Sequence, residues 1–394
     1  MRLGRFAATA VALAVAFFMI ISPQNSVAAA LAGLELWAKV LVPALLPFFM
    51  VAEILVALGF AAFLGRWLEP LIRPAFKLPG SASLVIVMGF CAGFPMGAVL
   101  SRRLNEEGLL SRAEAERVCG FTNNSSPLFI IGAVGVGMFG SAAVGYLLAG
   151  CHYLSNLCVG LLLGRLAPAE QGMRRYRRRE MRTKGANNAS GEKAGFNPGA
   201  LMADAVKNSV NSILAVGGFV LLFSVVTACC RQWGLMEWLA AAWQGLLAPW
   251  GASLPLAAGI TTGLFEISLG AQAVSAAGDP LGLKLTLLSA VFALGGLSIL
   301  AQVISAAAAI PVRTSFYLKC RLLQAVLATA FCAVALHFIG PDALIKTAAL
   351  LPPSYKMLYT FDVWRVVGAS ALAALTALLI MLFAAWLCEN RQKR

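Results

Sequence analysis

The sequence predicts an all-α polytopic membrane protein, with about eight transmembrane helices plus two re-entrant helical hairpins in inverted repeats. Three observations predict it. First, 60% of the 394 residues are hydrophobic and only 12% are charged, where a soluble domain carries about 25% charged residues. The mean hydropathy of +0.82 agrees. A soluble fold has no interior for that much apolar surface, and the remainder would aggregate. Second, charge-free runs of spanning length recur along the chain. Third, two apolar runs are broken in their middles by glycine and proline.

The segment 1–30 opens with Arg2 and Arg5 before an apolar stretch. It resembles a signal peptide ending near Ser26–Ala29, but reads better as an uncleaved first span. A first repeat is expected over 31–165. It holds a span near 36–60 with Glu53 inside it, and Arg66 or Arg102 as candidate partners for that carboxylate. It then holds the broken run Leu78–Ser101, interrupted by Gly89, Gly93, Pro95 and Gly97, and the charge-free stretch from Arg117 to Arg165, long enough for two spans. Just ahead of the latter, Ser111 and Glu114 form a capping box that starts a helix at Arg112. The basic linker 166–207 carries Arg174, Arg175, Arg177, Arg178, Arg179, Arg182 and Lys184. Its composition predicts disorder and contact with anionic lipid headgroups. A second repeat follows over 208–340. It has a span from Lys207 to Arg231, a cluster of Trp233, Trp238, Trp243 and Trp250 read as an interfacial belt, the broken run Ala252–Ala277 and two further spans. Residues 341–394 supply a loop, a last span between Arg365 and Glu389, and a basic tail.

Charge decides how the broken runs thread. If both cross, the basic linker falls outside, against the positive-inside rule. If both turn back, 25 of the 31 Lys and Arg lie inside, leaving Lys39, Arg231, Lys284, Lys346, Lys356 and Arg365 outside. Both termini are then cytoplasmic and the protein sits in the cell membrane. The net charge of +14 is thereby read as topology and lipid contact, with no nucleic-acid partner. The order span, hairpin, span, span occurs twice with opposite orientation, as in transporters whose broken helices meet near the midplane.

The candidate substrate-binding residues are Gly93, Pro95, Gly97, Asn123, Asn124, Ser125, Ser126, Glu266, Ser298 and Gln302. Pro127 has no N–H, so the carbonyl one turn earlier is freed. Asn123–Ser126 then reads either as a pocket for a polar solute or cation, or as hydrogen-bond glue between helices. Glu266 is a carboxylate in an otherwise uncharged run from Trp238 to Gly278. Proton carrier, cation ligand and structural ion pair all fit it. Ser298 and Gln302 share a helix face. His152 and His337 are isolated, and the nine cysteines show no metal or disulfide spacing. No cofactor or metal site is expected. Metalloprotease and nucleophile-elbow motifs are absent, which argues against an enzyme.

Three stretches carry a family resemblance: Gly93-Phe94-Pro95-Met96-Gly97-Ala98, Ser111-x-x-Glu114-Ala115-Glu116-Arg117, and Asn123-Asn124-Ser125-x-Pro127-Leu128-Phe129-Ile130 continuing to Gly140. They resemble a family of sporulation integral membrane proteins that carry the nucleoside-recognition, or Gate, domain. The likeness covers roughly residues 30–340 and extends to Gly263-Leu264-Phe265-Glu266, Gly295-Gly296-Leu297-Ser298 and Ala301-Gln302. The family has a more polar pair where Ile299-Leu300 stand, so the second half is greasier here. The resemblance implies an envelope protein needed for spore cortex formation. Related Gate domains occur in concentrative nucleoside transporters and ferrous-iron transport proteins. Function is therefore expected to be transport of a small polar solute, with a coupling proton or cation and with homo-oligomers allowed. A non-transporting scaffold for cortex synthesis is the alternative.

Overall fold

The computed structural model describes residues 2–58, 60–167, 198–308, 310, 312–341 and 344. The basic cluster 174–184 and the last expected span at 365–389 lie outside these residues. Among the described residues every regular element is helical. Four helices are long and apolar enough to cross a membrane, and a bent pair near the N-terminus makes up to five.

The bent pair is α1 (Arg2–Ile21) and α2 (Pro23–Leu36), which meet at 111°. The charge-free run from Arg5 to Glu35 is thus not one straight span. Pro23, at the first position of α2, starts a new helix where its missing N–H costs nothing. From there the chain stays helical through a π-helical turn at Trp37–Leu41 into α3 (Val42–Ala57).

A second long helix, α9 (Pro198–Gln232), packs against it. Gly33 faces Ser224, Trp37 Nε1 donates to the Ile213 carbonyl at 2.9 Å, and Asn208 Nδ2 donates to Glu53 at 3.0 Å. Rising numbers on one helix meet falling numbers on the other, so the two run antiparallel. Glu53 is therefore held by Asn208, and not by Arg66 or Arg102. An amide within reach satisfies the carboxylate in place of an arginine.

After each long helix comes an amphipathic one that a search for uncharged runs does not find: charges on one face interrupt the first, and the second falls in the tryptophan-rich stretch read as an interfacial belt. α4 (Phe60–Phe76) buries Leu64, Leu68, Ile72 and Phe76 as one stripe and exposes Arg66 and Trp67. α10 (Leu235–Leu247) buries Met236 and Ala240 and exposes Trp238 and Leu246.

Next in each half comes a pair of short helices: α5 (Ala82–Cys91) with α6 (Met96–Glu106), and α11 (Leu254–Phe265) with α12 (Ile267–Ala276). Ten to twelve residues rise only about 15–18 Å, roughly half a bilayer core. Each pair folds back on itself and is tied at its base. Ser81 Oγ donates to the Leu109 carbonyl at 3.0 Å. Ser253 donates to Asp279 through its backbone N at 2.8 Å and its hydroxyl at 2.5 Å.

Each half then has a broken helix followed by a long one. α7 (Arg112–Thr122) starts at the expected capping box, with both reciprocal bonds made. It breaks at Asn123–Pro127 and continues as a π-helical segment, Leu128–Met138. α8 (Ala142–Leu166) packs alongside. In the second half α13 (Leu281–Leu294) breaks at Gly295 and continues as α14 (Gly296–Ala306), with α15 (Thr314–Ile339) alongside. α8 and α15 pack together and join the halves.

The bonds at the turns define two ends of the molecule. At one end, Lys77 Nζ reaches the Ala167 carbonyl, Arg117 reaches the Lys77 carbonyl, and Glu116 clasps Arg313 through the backbone N and the guanidinium at 2.8–3.0 Å. Arg103, Leu201 and Asp204 share a cavity there. At the other end, Ser141 Oγ meets the Leu344 carbonyl, and Lys284 Nζ caps the carbonyls of Ser275 and Ala277 while lying 5.7 Å from the Phe139 ring centre. The base of the first hairpin sits at the first end and that of the second hairpin at the other.

Candidate functional site

The two hairpin tips and the two helix breaks meet inside the molecule. At the first tip, Gly93 has φ +90° and Phe94–Pro95 is cis. A Cβ on Gly93 would lie 2.9 Å from that of Ser126, and one on Gly97 would lie 2.6 Å from the Thr122 carbonyl. Only glycine lets this tip wrap the break so closely. At the second break, Gly295 and Gly296 have φ +80° and +73°, and a Cβ on Gly296 would lie 2.7 Å from the Gly263 carbonyl of the second tip. Phe94 of the first tip reaches Gly295, so the halves touch at their centres.

The first break is densely bonded. Asn123 Oδ1 accepts from Ala98 N at 3.0 Å, and its Nδ2 donates to the Cys119 carbonyl at 2.8 Å. The freed Asn123 carbonyl accepts from Arg321 Nη1 at 2.8 Å, and Gly120 accepts from Arg321 Nη2 at 2.6 Å. Asn124 Oδ1 accepts from Asn156, whose own oxygen accepts from Arg321 at 3.0 Å. Ser125 N donates to His152 Nε2 at 3.2 Å, and Tyr153 OH donates to the Ser125 carbonyl at 2.9 Å. Gln324 donates to the His152 carbonyl at 3.2 Å. Ser126 Oγ caps Phe129 N. The stretch Asn123–Ser126 is buried, and its polar groups are mostly committed to α8 and α15. Asn124 Nδ2 alone of its side-chain groups is buried without a partner.

Sequence reasoning missed Arg321, His152, Asn156 and Gln324. Arg321 had been counted with the inner loop, yet it is 1% exposed, in the second turn of α15. The available signal was its spacing: Arg321 and Gln324 lie one turn apart on an otherwise apolar helix, as His152 and Asn156 do on α8.

The second break is sparser. Glu266, 4% exposed, is the N-cap of α12, its Oε2 accepting from Leu269 N at 2.7 Å. No ion pair among the described residues involves it. Gln302 Nε2 donates to Ser298 Oγ at 3.2 Å, so the expected shared face is real.

A groove of about 460 Å³ enters between α3, α6, α9 and α14. Arg102, Arg103, Glu106, Glu53 and Asn208 line its mouth, and Pro95 and Gln302 lie deeper. A neighbouring cavity of about 240 Å³ shares Glu53, Arg103 and Asn208 and adds Asp204. Of the expected site residues, Pro95 and Gln302 line the groove. Gly93, Gly97, Asn123, Asn124, Ser125, Ser126, Glu266 and Ser298 stand outside its lining.

Paired short hairpins, broken helices and a polar groove within an apolar helical chain define a polytopic membrane protein with a Gate-type core. The Gate family, described as nucleoside recognition, matches residues 38–142, from the π-helical turn through the first break. The chain is 40% identical over 320 residues to the sporulation integral membrane protein YlbJ of Bacillus subtilis (strain 168), covering 79% of this chain and 78% of that one. It belongs to that family of sporulation membrane proteins. No solved structure matches it.

Proposed function

We propose that this protein is a transporter or channel for a small polar solute, acting in spore cortex formation, and not an enzyme. Its two halves are inverted repeats whose hairpins are re-entrant, and the basic linker is cytoplasmic, against anionic headgroups. The observation that carries this reading is the groove from Arg102 and Glu53 down to Pro95 and Gln302. Its volume falls in the range of small-molecule sites. Non-helical backbone at membrane depth persists where it is buried in protein or lines a water-filled cavity, and both breaks and the groove fit that rule. The threading is supported by the opposed hairpin bases. It is also supported by the gathering of Lys77, Arg102, Arg103, Arg117 and Arg313 at one end, where the linker's flanks at Ala167 and Leu201 also lie.

In this mechanism the solute descends the groove to Gln302. Release to the other side follows when the second hairpin parts from Gly295–Gly296. Glu266, a buried carboxylate with no cationic partner among the described residues, serves as the proton- or cation-coupling group.

The test pairs a solute uptake panel in proteoliposomes with complementation of sporulation. Gln302→Leu keeps the helix and the apolar fit but removes the groove's deepest amide. It is expected to lower both uptake and heat-resistant spore yield by about 10-fold or more, at unchanged membrane abundance. Full sporulation with Gln302→Leu and with Pro95→Ala, and uptake of no solute, contradicts transport and fits a scaffold.

A further inference from the structure

A helix broken within a bilayer exposes carbonyls with no N–H partner, and in broken-helix transporters such carbonyls coordinate the coupling cation. The first break has this chemistry. Pro127 cannot donate to Asn123, and the extended Asn123 (ψ 102°) ends α7 so that the Gly120 carbonyl is also freed. The Asn156 side-chain oxygen stands with them. Three neutral oxygens around one point, two of them main-chain, form the ligand set of a hard monovalent cation.

That point is filled. Arg321 donates to all three oxygens at 2.6–3.0 Å, and its guanidinium carbon lies 5.2 Å from the Tyr317 ring centre. It arrives from α15, in the other half of the chain. It is 1% exposed, and no carboxylate among the described residues pairs with it. A lone buried charge is costly at membrane depth. One turn on, the neutral amide of Gln324 braces α15 against α8 without that cost, donating to the His152 carbonyl. Arg321 brings three well-placed bonds and a positive charge to its seat.

We propose that Arg321 is a tethered cation: it permanently occupies the seat that the broken helix offers to a mobile metal ion, so the first half binds no coupling ion. Glu266 is left as the group for any ion coupling. The inference concerns cation binding and does not depend on which solute moves.

The full-length protein and Arg321→Ala are purified in detergent. Thermal unfolding is followed while guanidinium, methylguanidinium, sodium or potassium replaces N-methylglucamine at constant millimolar ionic strength. In Arg321→Ala, guanidinium or an alkali cation is expected to raise the midpoint saturably, by about 4 °C or more, with no such gain in the wild type. Asn156→Ala in that background removes the gain. A variant as stable as wild type without any cation, or one that no cation rescues, overturns the proposal. A second pair covers the case in which Arg321→Ala does not fold. Arg321→Lys keeps charge and loses bonding geometry, whereas Arg321→Gln keeps two neutral donors and loses charge. Arg321→Lys is expected to give about 10-fold more heat-resistant spores than Arg321→Gln. Equal yields, or a higher yield from Arg321→Gln, assign Arg321 to bracing alone and refute the tethered cation.

Discussion

At the first break the carbonyls of Cys119, Gly120, Asn123 and Ser125 each receive a side-chain donor, and three of the four are served from α8 or α15. At the second break no side chain of another helix hydrogen-bonds to Leu294–Ser298 among the described residues. Two left-handed glycines and the docked tip of the hairpin hold the chain there. The same backbone problem has thus been solved in two ways. Buried and densely bonded polar networks are rigid, because opening one strands several desolvated groups at once. A glycine break stores little and moves cheaply. In the proposed transport cycle the first half is the fixed wall of the groove, and the second hairpin with α14 is the part that moves.

The largest effect expected from breaking this contrast comes from Asn123→Ala. It takes the second acceptor from Ala98 N, which keeps the Pro95 carbonyl at 2.9 Å, and removes the side-chain donor from the buried Cys119 carbonyl. Loss of about 1–3 kcal/mol is expected, read as a lower midpoint of thermal unfolding in detergent micelles. An unchanged midpoint means the network is not what fixes the first half. Gly296→Ala sharpens the comparison from the other side. Its Cβ would meet the Gly263 carbonyl at 2.7 Å on a φ of +73°, a strain of about 1–2 kcal/mol. Because the clash falls where the moving tip docks, uptake is expected to fall further than stability does. Parallel losses in both would make the second break as static as the first.

Much of this was legible in the sequence. The hairpins announced themselves through Gly93–Pro95 and through Gly259, Gly263 and Gly270, because chain reversal in an apolar run needs residues that break helices. The capping box at Ser111 and Glu114 is local and was read residue for residue. The freed carbonyl behind Pro127 was also foreseen, and its partner was not. Arg321 lies 198 positions from Asn123, and its spacing from Gln324 hints at a buried face without saying which carbonyls that face meets. The amphipathic helix α4 escaped because its charges are real but lie on one face, and α10 because its tryptophans read as an interfacial belt. The groove combines Glu53, Pro95, Asn208 and Gln302 from four helices, a juxtaposition that exists only once the halves are packed antiparallel.

Hydrogen–deuterium exchange on the purified protein tests the contrast most directly, through peptides covering 119–130 and 291–300. Both stretches are interrupted helices, and Leu297 is 45% exposed where Asn123–Ser126 are buried, so the comparison is read on the amides of Gly295, Ser298 and Ile299, which are buried as well. The account predicts that amides around Asn123–Pro127 stay protected while those around Gly295–Ser298 exchange at least about 10-fold faster. Equal protection, or faster exchange at the first break, contradicts a fixed first half and a mobile second one.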